Sequence, residues 1–431
     1  FSNKVSSCVR AQLEATVDEP RHLLFLPKLT LAGSKPDRTM NVILFDDPVL
    51  RVSLLPFTYT RPLSKIRVGI LTIDQKWQYH LGTPPSYQVP EYLQKKFPAK
   101  STSQNLMING AICPDQALVD TIKALPAGFF LVKGDLLIAA NQPSGEMTEK
   151  NVVNYDKDFT VIDKKWKIFQ ENANQIRADL PLVTAGRKSQ PITDPYTRVY
   201  KPEAIFIEEG VEIRDATLNA ESGPIYLGKN SVVQEGAVIR GAFALCEGAQ
   251  LNMGAKVRGD TTLGPYSKIG GEISNAVVFG YSNKSHDGFI GNSVLGEWCN
   301  LGADTNASNM KNNYDNVRIW NHRDNHFEQT DLQFCGLMMG DHCKSGINTM
   351  FNTATVADPF AVVFGGGYQK NYIPAFTWGG DGHHETFRLE KAYETASRVM
   401  QRRNVSLTEA DREIMQHIFE ITRPSRHWEK H

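Results

Sequence analysis

Cysteine is scarce and unordered in this 431-residue sequence. Its six residues, Cys8, Cys113, Cys246, Cys299, Cys335 and Cys343, form no C-x-x-C pair and keep no regular spacing. That excludes a disulfide framework, and the thiols read as reduced ones in a cytosolic, cytoplasmic protein. An excess of one charge is also missing, with Lys plus Arg and Asp plus Glu at 47 each. No global field draws the chain to nucleic acid or to an anionic membrane, and neither is expected as a partner. Local basic clusters remain free to bind phosphates. Long apolar runs are absent as well, where a spanning helix needs about 18 residues. The nearest run, "LLFLPKLTLAG", is broken by Pro27 and Lys28 and preceded by acids, which makes it a poor signal peptide.

Periodicity is the next absence, in residues 1–39. Met40 is followed at once by "NVILF", a short apolar run of the buried-strand type. The native start is expected at Met40, and residues 1–39 are expected to be a disordered or non-native segment.

What is present is a repeat. Counting by six, Leu227, Val233, Ile239, Leu245, Leu251, Val257, Leu263 and Ile269 fall in phase without a miss. Four residues after each stand Ser231, Ala237, Phe243, Ala249, Ala255, Thr261, Ser267 and Ile273, mostly small. One large aliphatic and one small residue per hexad is the mark of a hexapeptide parallel β-helix. Each hexad supplies a short strand whose anchor points inward, and stacked coils bury a core that no single repeat could bury alone. The beat weakens at "GGEISNAVVFGYSNKSHDG", where "YSNKSHDGFIGNS" (residues 281–293) begins, and returns at Phe289, Leu295 and Leu301. A break with coils on both sides predicts a loop or turn projecting from a rigid scaffold, where binding residues concentrate.

The segment 40–195 alternates apolar runs ("NVILF", "VGILTI", "NLMING", "GFFLVKGDLLIAA") with mixed stretches. It reads as a Rossmann-like α/β domain with a mainly parallel sheet. "TAGRKSQPITDPYTRV" is the expected linker, the β-helix is placed at 196–384, and two helices are expected in 385–431. The second of these is expected to open on a capping box of Ser406 and Glu409.

Candidate chemistry centres on the break. His286 is the sole histidine between His80 and His322, and an imidazole titrating near neutral pH can take a proton from an attacking nucleophile. Asp287 is placed to orient the ring, and Lys284 to hold a phosphate as a point charge. In the first domain, Arg51, Arg61, Lys65, Arg67 and Lys76 form a basic run able to clamp a triphosphate.

The tract "KSHDGFIGNSVLGEWCNLGADTNASNMKNNYD" resembles the acetyltransferase half of bifunctional N-acetylglucosamine-1-phosphate uridylyltransferases/glucosamine-1-phosphate acetyltransferases. The motifs "LFDD", "LLPFTYTRPLSKIRVGILTIDQKW", "KGDLLIA", "GPIYLG" and "GINTMFNT" extend that resemblance over roughly nine-tenths of the chain, as an alternative bacterial branch. The resemblance implies a nucleotidyltransferase domain followed by a left-handed β-helix acyltransferase domain, assembled as a homotrimer with acetyl-CoA between neighbouring β-helices. It implies His286 as general base. Phe289 stands where the family commonly has Tyr, Asn300 matches one substrate-binding Asn, and Asn309 or Asn313 matches another. Lys256 or Arg258 matches the first sugar-phosphate cation. Ser274 stands in place of the second, which shifts phosphate binding toward Lys284 or Lys268. Asp135 matches the Mg²⁺-binding Asp of sugar nucleotidyltransferases, with Asn174 or Asp179 as the second metal contact. The partners implied are UTP, an amino-sugar 1-phosphate and acetyl-CoA.

One departure stands out: where such enzymes carry a Gly-rich loop after the first strand, this chain reads "LFDDPVLRVSLLP". The expected product is UDP-N-acetylglucosamine. The alternatives are a hexose-1-phosphate thymidylyl- or guanylyltransferase with a structural β-helix, and a non-enzymatic scaffold or sugar-nucleotide sensor.

Overall fold

The computed structural model describes residues 40–143, 146–380 and 382–429. The expectation for residues 1–39 lies outside them. The described chain forms two compact units that do not follow one cut. The first holds residues 40–54, 60–66 and 72–163; the second holds 55–59, 67–71 and everything from Lys164 onward.

In the first unit the apolar run after Met40 becomes β1 (Asn41–Phe45), with its last four residues buried. The sheet contains β2 (Ser86–Gln88), β3 (Asn105–Asn109), β4 (Phe130–Lys133), β5 (Leu136–Asn141) and β6 (Val152–Asn154), in the order β2-β1-β3-β5-β4-β6. Pairing is parallel except at β5, which runs antiparallel to both β3 and β4. The helices α1 (Pro48–Ser53), α2 (Ile73–Leu81) and α3 (Gln116–Ala124) follow β1 and β3 as an α/β pattern requires.

The second unit is a parallel β-solenoid. All eight hexad anchors are at most 2% exposed, and so are the eight residues four places on. Each fully buried aliphatic contributes about 1.5–3 kcal/mol. The stack is therefore held mainly by its interior column.

Residues 281–293 do not project from it. Asn283–Lys284 and Phe289–Glu297 are solenoid strands in register with their neighbours. The beat fails because coils shorten: Gln250 pairs with Lys268 eighteen residues on, but Lys268 pairs with Asn283 after only fifteen. The phase shifts accordingly, so Ile290 rather than Phe289 turns inward, paired with Ile273 and Ala307. The true excursion is the Asn-rich stretch beyond Ser308. It carries an antiparallel hairpin of Arg318–Asn321 and His326–Gln329 before the coils resume at Met338–Met339.

The expected linker is not free-running. Gln190 N–H bonds to Ile207, and Ile192 packs on the solenoid core. The two C-terminal helices form at Leu389–Gln401 and Glu409–Ile421. The second is capped by Thr408 with Asp411, not by Ser406 with Glu409. Starting there brings Ile414, Met415 and Ile418 together on the buried face.

Candidate active site on the solenoid corner

The coil turns after Lys284, and His286 and Asp287 lie exposed at that corner. Gly288 completes it at φ 113°. A Cβ there would come within 2.2 Å of Thr305 O, so only glycine lets the next coil close down. The ladder beyond the corner carries two outward columns. Lys256, Glu272 and Phe289 align in one, and Ser274 and Gly291 align in the other, next to Arg258.

The structure thus brings Lys256, Arg258 and Phe289 onto the face that follows the His286 corner. Lys256 is exposed. Arg258 is paired with Glu272 at 3.0 Å, and half-buried Phe289 donates its N–H to Asn306 Oδ1 at 2.8 Å. Asn300 is exposed on the face before the corner, aligned with Asn283 and Lys344.

Lys284 is not where a phosphate ligand should be. It occupies an inward position in line with Ile269 and is 1% exposed. Its Nζ donates to the carbonyls of Gly270 (3.2 Å), His286 (2.7 Å) and Asp287 (3.0 Å). Burial lowers its pKa to about 8, against the opposing pull of Asp287 and Asp304. Lys268, the other redistribution candidate, is exposed.

Asn309 and Asn313 lie farther on, toward the insertion. Asn309 Nδ2 donates to Asn292 Oδ1 at 2.9 Å, and Asn313 bonds to Asp315 on an exposed turn. Sequence reasoning missed a pattern here: Asn275, Asn292 and Asn309 recur every seventeen residues, the length of the local coil. Asn275 and Asn292 hold φ 48° and 47°, a corner conformation that asparagine tolerates. They line a cavity of about 390 Å³ with Phe169, Gln170, Asp331 and Phe334. A neighbouring polar groove of about 670 Å³ lies between Lys311, Tyr314, Arg318 and Asp331. The seventeen-residue asparagine period was the available signal.

In the first unit the basic run is largely consumed by the fold. Asp47 caps α1 through the N–H groups of Val49 and Leu50. The donors that a phosphate would seek at that turn are therefore taken by a carboxylate of the chain itself. Asp46, with its side chain 3% exposed, pairs with Arg51 at 2.5 Å and accepts the Leu63 N–H. Burial pushes the Asp46 carboxyl upward against that pairing.

Arg51 also donates to Tyr92 Oη at 2.6 Å and to Arg61 O at 3.1 Å, and Arg61 and Lys76 are themselves buried. Lys65 pairs with Asp74 at 2.7 Å. Arg67 does not belong with them. It is buried in the second unit, where it donates to the carbonyls of Phe279 and Ile70. Within the first unit, Arg51 and Lys65 are paired with acids and Arg61 and Lys76 are buried, so these four are engaged by the fold itself.

The metal set fares similarly. Asp135 is exposed in the two-residue turn between β4 and β5, in the first unit. Asn174 and Asp179 belong to the second unit, where Asn174 is exposed and bonded to Glu171. Asp179 is buried with its carboxylate on the Leu71 N–H at 3.0 Å. Among the described residues no cluster of three or more His, Cys, Asp or Glu side chains could hold a metal ion. The second-unit donors expected for Mg²⁺, Asn174 and Asp179, are thus already engaged by Glu171 and the Leu71 N–H. Among the described residues, likewise, no helix is long and apolar enough to cross a membrane.

The described chain is thus a six-stranded α/β unit and a hexapeptide-type solenoid with a histidine exposed at one corner. The family model described as Sugar nucleotidyl transferase matches residues 42–188. The chain is similar to the Bifunctional protein GlmU of Corynebacterium glutamicum (strain R), 27% identical over 220 residues, or 44% of this chain and 41% of the relative. The protein of that name from Corynebacterium jeikeium (strain K411) is 30% identical over 207 residues, with the same shares covered. The one from Bartonella quintana (strain Toulouse) is 27% identical over 171 residues, or 38% of this chain and 33% of the relative. The chain spans about two fifths of the length of the curated relatives it matches. A solved Arabidopsis UDP-N-acetylglucosamine acyltransferase covers 54% of this chain and 92% of its own at 14% identity. Its TM-score of 0.18 is too low to bear on this fold.

Proposed function

We propose that this chain serves UDP-N-acetylglucosamine synthesis with two transfer sites. The solenoid moves acetyl from acetyl-CoA to glucosamine 1-phosphate. The α/β unit joins UTP to N-acetylglucosamine 1-phosphate and releases pyrophosphate. The observation that carries the reading is the exposed His286 imidazole on a corner whose backbone is anchored from inside the solenoid.

At that corner neutral His286 takes a proton from the sugar amine as the nitrogen attacks the thioester carbonyl. The C–S bond then breaks, and coenzyme A leaves as its thiolate. Lys256, exposed on the following face, is the cation best placed for the sugar phosphate, because Arg258 is already paired with Glu272. For the uridylyl half, support comes from the family match over residues 42–188, not from the five cations.

The test is thiol release from acetyl-CoA with glucosamine 1-phosphate as acceptor. General-base catalysis is typically worth about 10²–10⁴-fold. His286→Ala should lose that much in kcat with little change in KM, while pyrophosphate release from UTP is unaltered. Wild-type acetyl transfer by the variant, or none by the parent protein, would overturn the reading.

A further inference from the structure

A lysine inside a β-solenoid is a poor choice for stability. Burying an ammonium is far costlier than burying the aliphatic residues that fill the rest of this column. The coil before supplies Ile269 at the aligned position, and the coil after supplies Leu301, next to Asn300. A leucine or methionine would continue the stack. Something other than core filling must account for Lys284.

The contacts of the corner show what it does. Asn252 Nδ2 donates to Ser285 O at 2.9 Å. Lys284 Nζ donates to the next two carbonyls, those of His286 and Asp287. Three successive carbonyls are thus drawn inward by side-chain donors, and the fourth contact, to Gly270 O, ties the ammonium to the coil below. The surrounding backbone leaves just enough room. A Cβ on Gly271 would come within 2.8 Å of the ammonium, and one on Gly288 would strike Thr305 O. All three ammonium protons are used on backbone oxygens.

We infer that Lys284 is a positioning residue: by holding the His286 and Asp287 carbonyls inward from the core, it fixes the direction in which the His286 imidazole leaves the corner. This rests on the reading of His286 as the base. A reacting group misplaced by about 1 Å can lose about 10²-fold in rate. A buried strut beneath the corner therefore supplies what an all-aliphatic coil would not.

The experiment is Lys284→Met, which keeps the column filled and removes every donor, compared with Asn252→Ala, which removes one of the grips. In folded Lys284→Met, kcat for acetyl transfer should fall about 10- to 100-fold, with KM for the sugar phosphate near that of the parent. Amide hydrogen exchange at residues 285–288 should accelerate at least tenfold relative to the neighbouring corners, and Asn252→Ala should show a smaller effect centred on Ser285. A raised KM with kcat intact would mean that Lys284 binds phosphate, and unchanged exchange with kcat within twofold would mean that it merely fills space. Either result overturns the inference. His286→Ala run in parallel separates the two claims: if it retains full activity the base reading falls, and the exchange data still decide whether Lys284 holds the corner. If Lys284→Met does not fold, Asn252→Ala decides by exchange, with an unchanged rate at Ser285 counting against the inference.

Discussion

At the scale of single residues, polar groups in this chain repeatedly stand where an apolar residue would be the simpler solution. Lys284 replaces a core aliphatic, and Asp46 with Arg51 forms a buried pair beneath the first βα turn. Lys284 has a thermodynamic signature of its own. Its folded pKa, lowered by burial to about 8, lies below the ordinary lysine value of 10.5. Between those values the unfolded chain binds more protons than the folded one, so this group makes stability rise with pH across that window. The burial penalty is therefore fully present below about pH 8 and fades as the folded-state ammonium deprotonates. Lys284→Met removes this dependence. The parent protein's stability relative to the variant should be greater at pH 10 than at pH 7.5, as read from urea unfolding at both values. An equal difference at the two pH values, or one that shrinks, would show that the ammonium is not held as described. None of this was visible from sequence, where Lys284 read as an outward cation placed to hold a phosphate. Only the register with Ile269 shows that its side chain points inward.

At the scale of elements, the hexad beat exposed the solenoid because inward anchors must recur for coils to stack, and all eight anchors are buried. What periodicity could not do was tell a shortened coil from an inserted loop, since either one breaks the phase. The loss at 281–293 is a shortening, while the insertion is the hairpin of Arg318–Asn321 and His326–Gln329. That hairpin is fastened by groups far apart in sequence. His322 Nε2 meets Asp358 Oδ1 at 2.8 Å, Tyr372 Oη donates to Asp358 Oδ2 at 2.9 Å, and Lys165 Nζ donates to Trp320 O at 2.9 Å. The Trp320 ring stacks on Tyr372 at 4.2 Å. Asp358, wholly buried, is the shared acceptor. Asp358→Leu should leave both His322 and Tyr372 without their partner. Removing one member of such a buried arrangement costs about 3–5 kcal/mol. The loss should appear in denaturant unfolding and in faster exchange along residues 317–330. A loss below about 1 kcal/mol, with the hairpin still protected, would mean that stacking alone holds it.

At the scale of the whole chain, the division into units is discontinuous, and that limits how the protein can be cut. The sequence reading set one boundary at 195/196, because apolar alternation and hexad period can mark only where one pattern gives way to another. The structure gives residues 55–59 and 67–71, from deep within the N-terminal half, to the second unit. There Phe57 is fully buried, with its ring centroid 5.3 Å from that of Phe279, and Arg67 donates to Phe279 O. Ile70 and Leu71 pack with Ile176, Val183, Ala242 and Ala244. Cutting between residues 163 and 164 strands these groups on the wrong fragment. Each buried Phe, Ile or Leu left exposed forfeits about 1.5–3 kcal/mol, and three or four of them approach the 5–15 kcal/mol that typically holds a domain together. Fragment 164–431 should therefore lose several degrees of melting temperature relative to the full chain, and fragment 40–163 should expose enough apolar surface to aggregate on heating. Mixing the fragments should recover part of the lost melting temperature, because the stranded segments can dock again where they came from. A fragment 164–431 that melts cooperatively at the full chain's temperature would mean that those ten residues are dispensable to the second unit, and that a single boundary describes the chain after all.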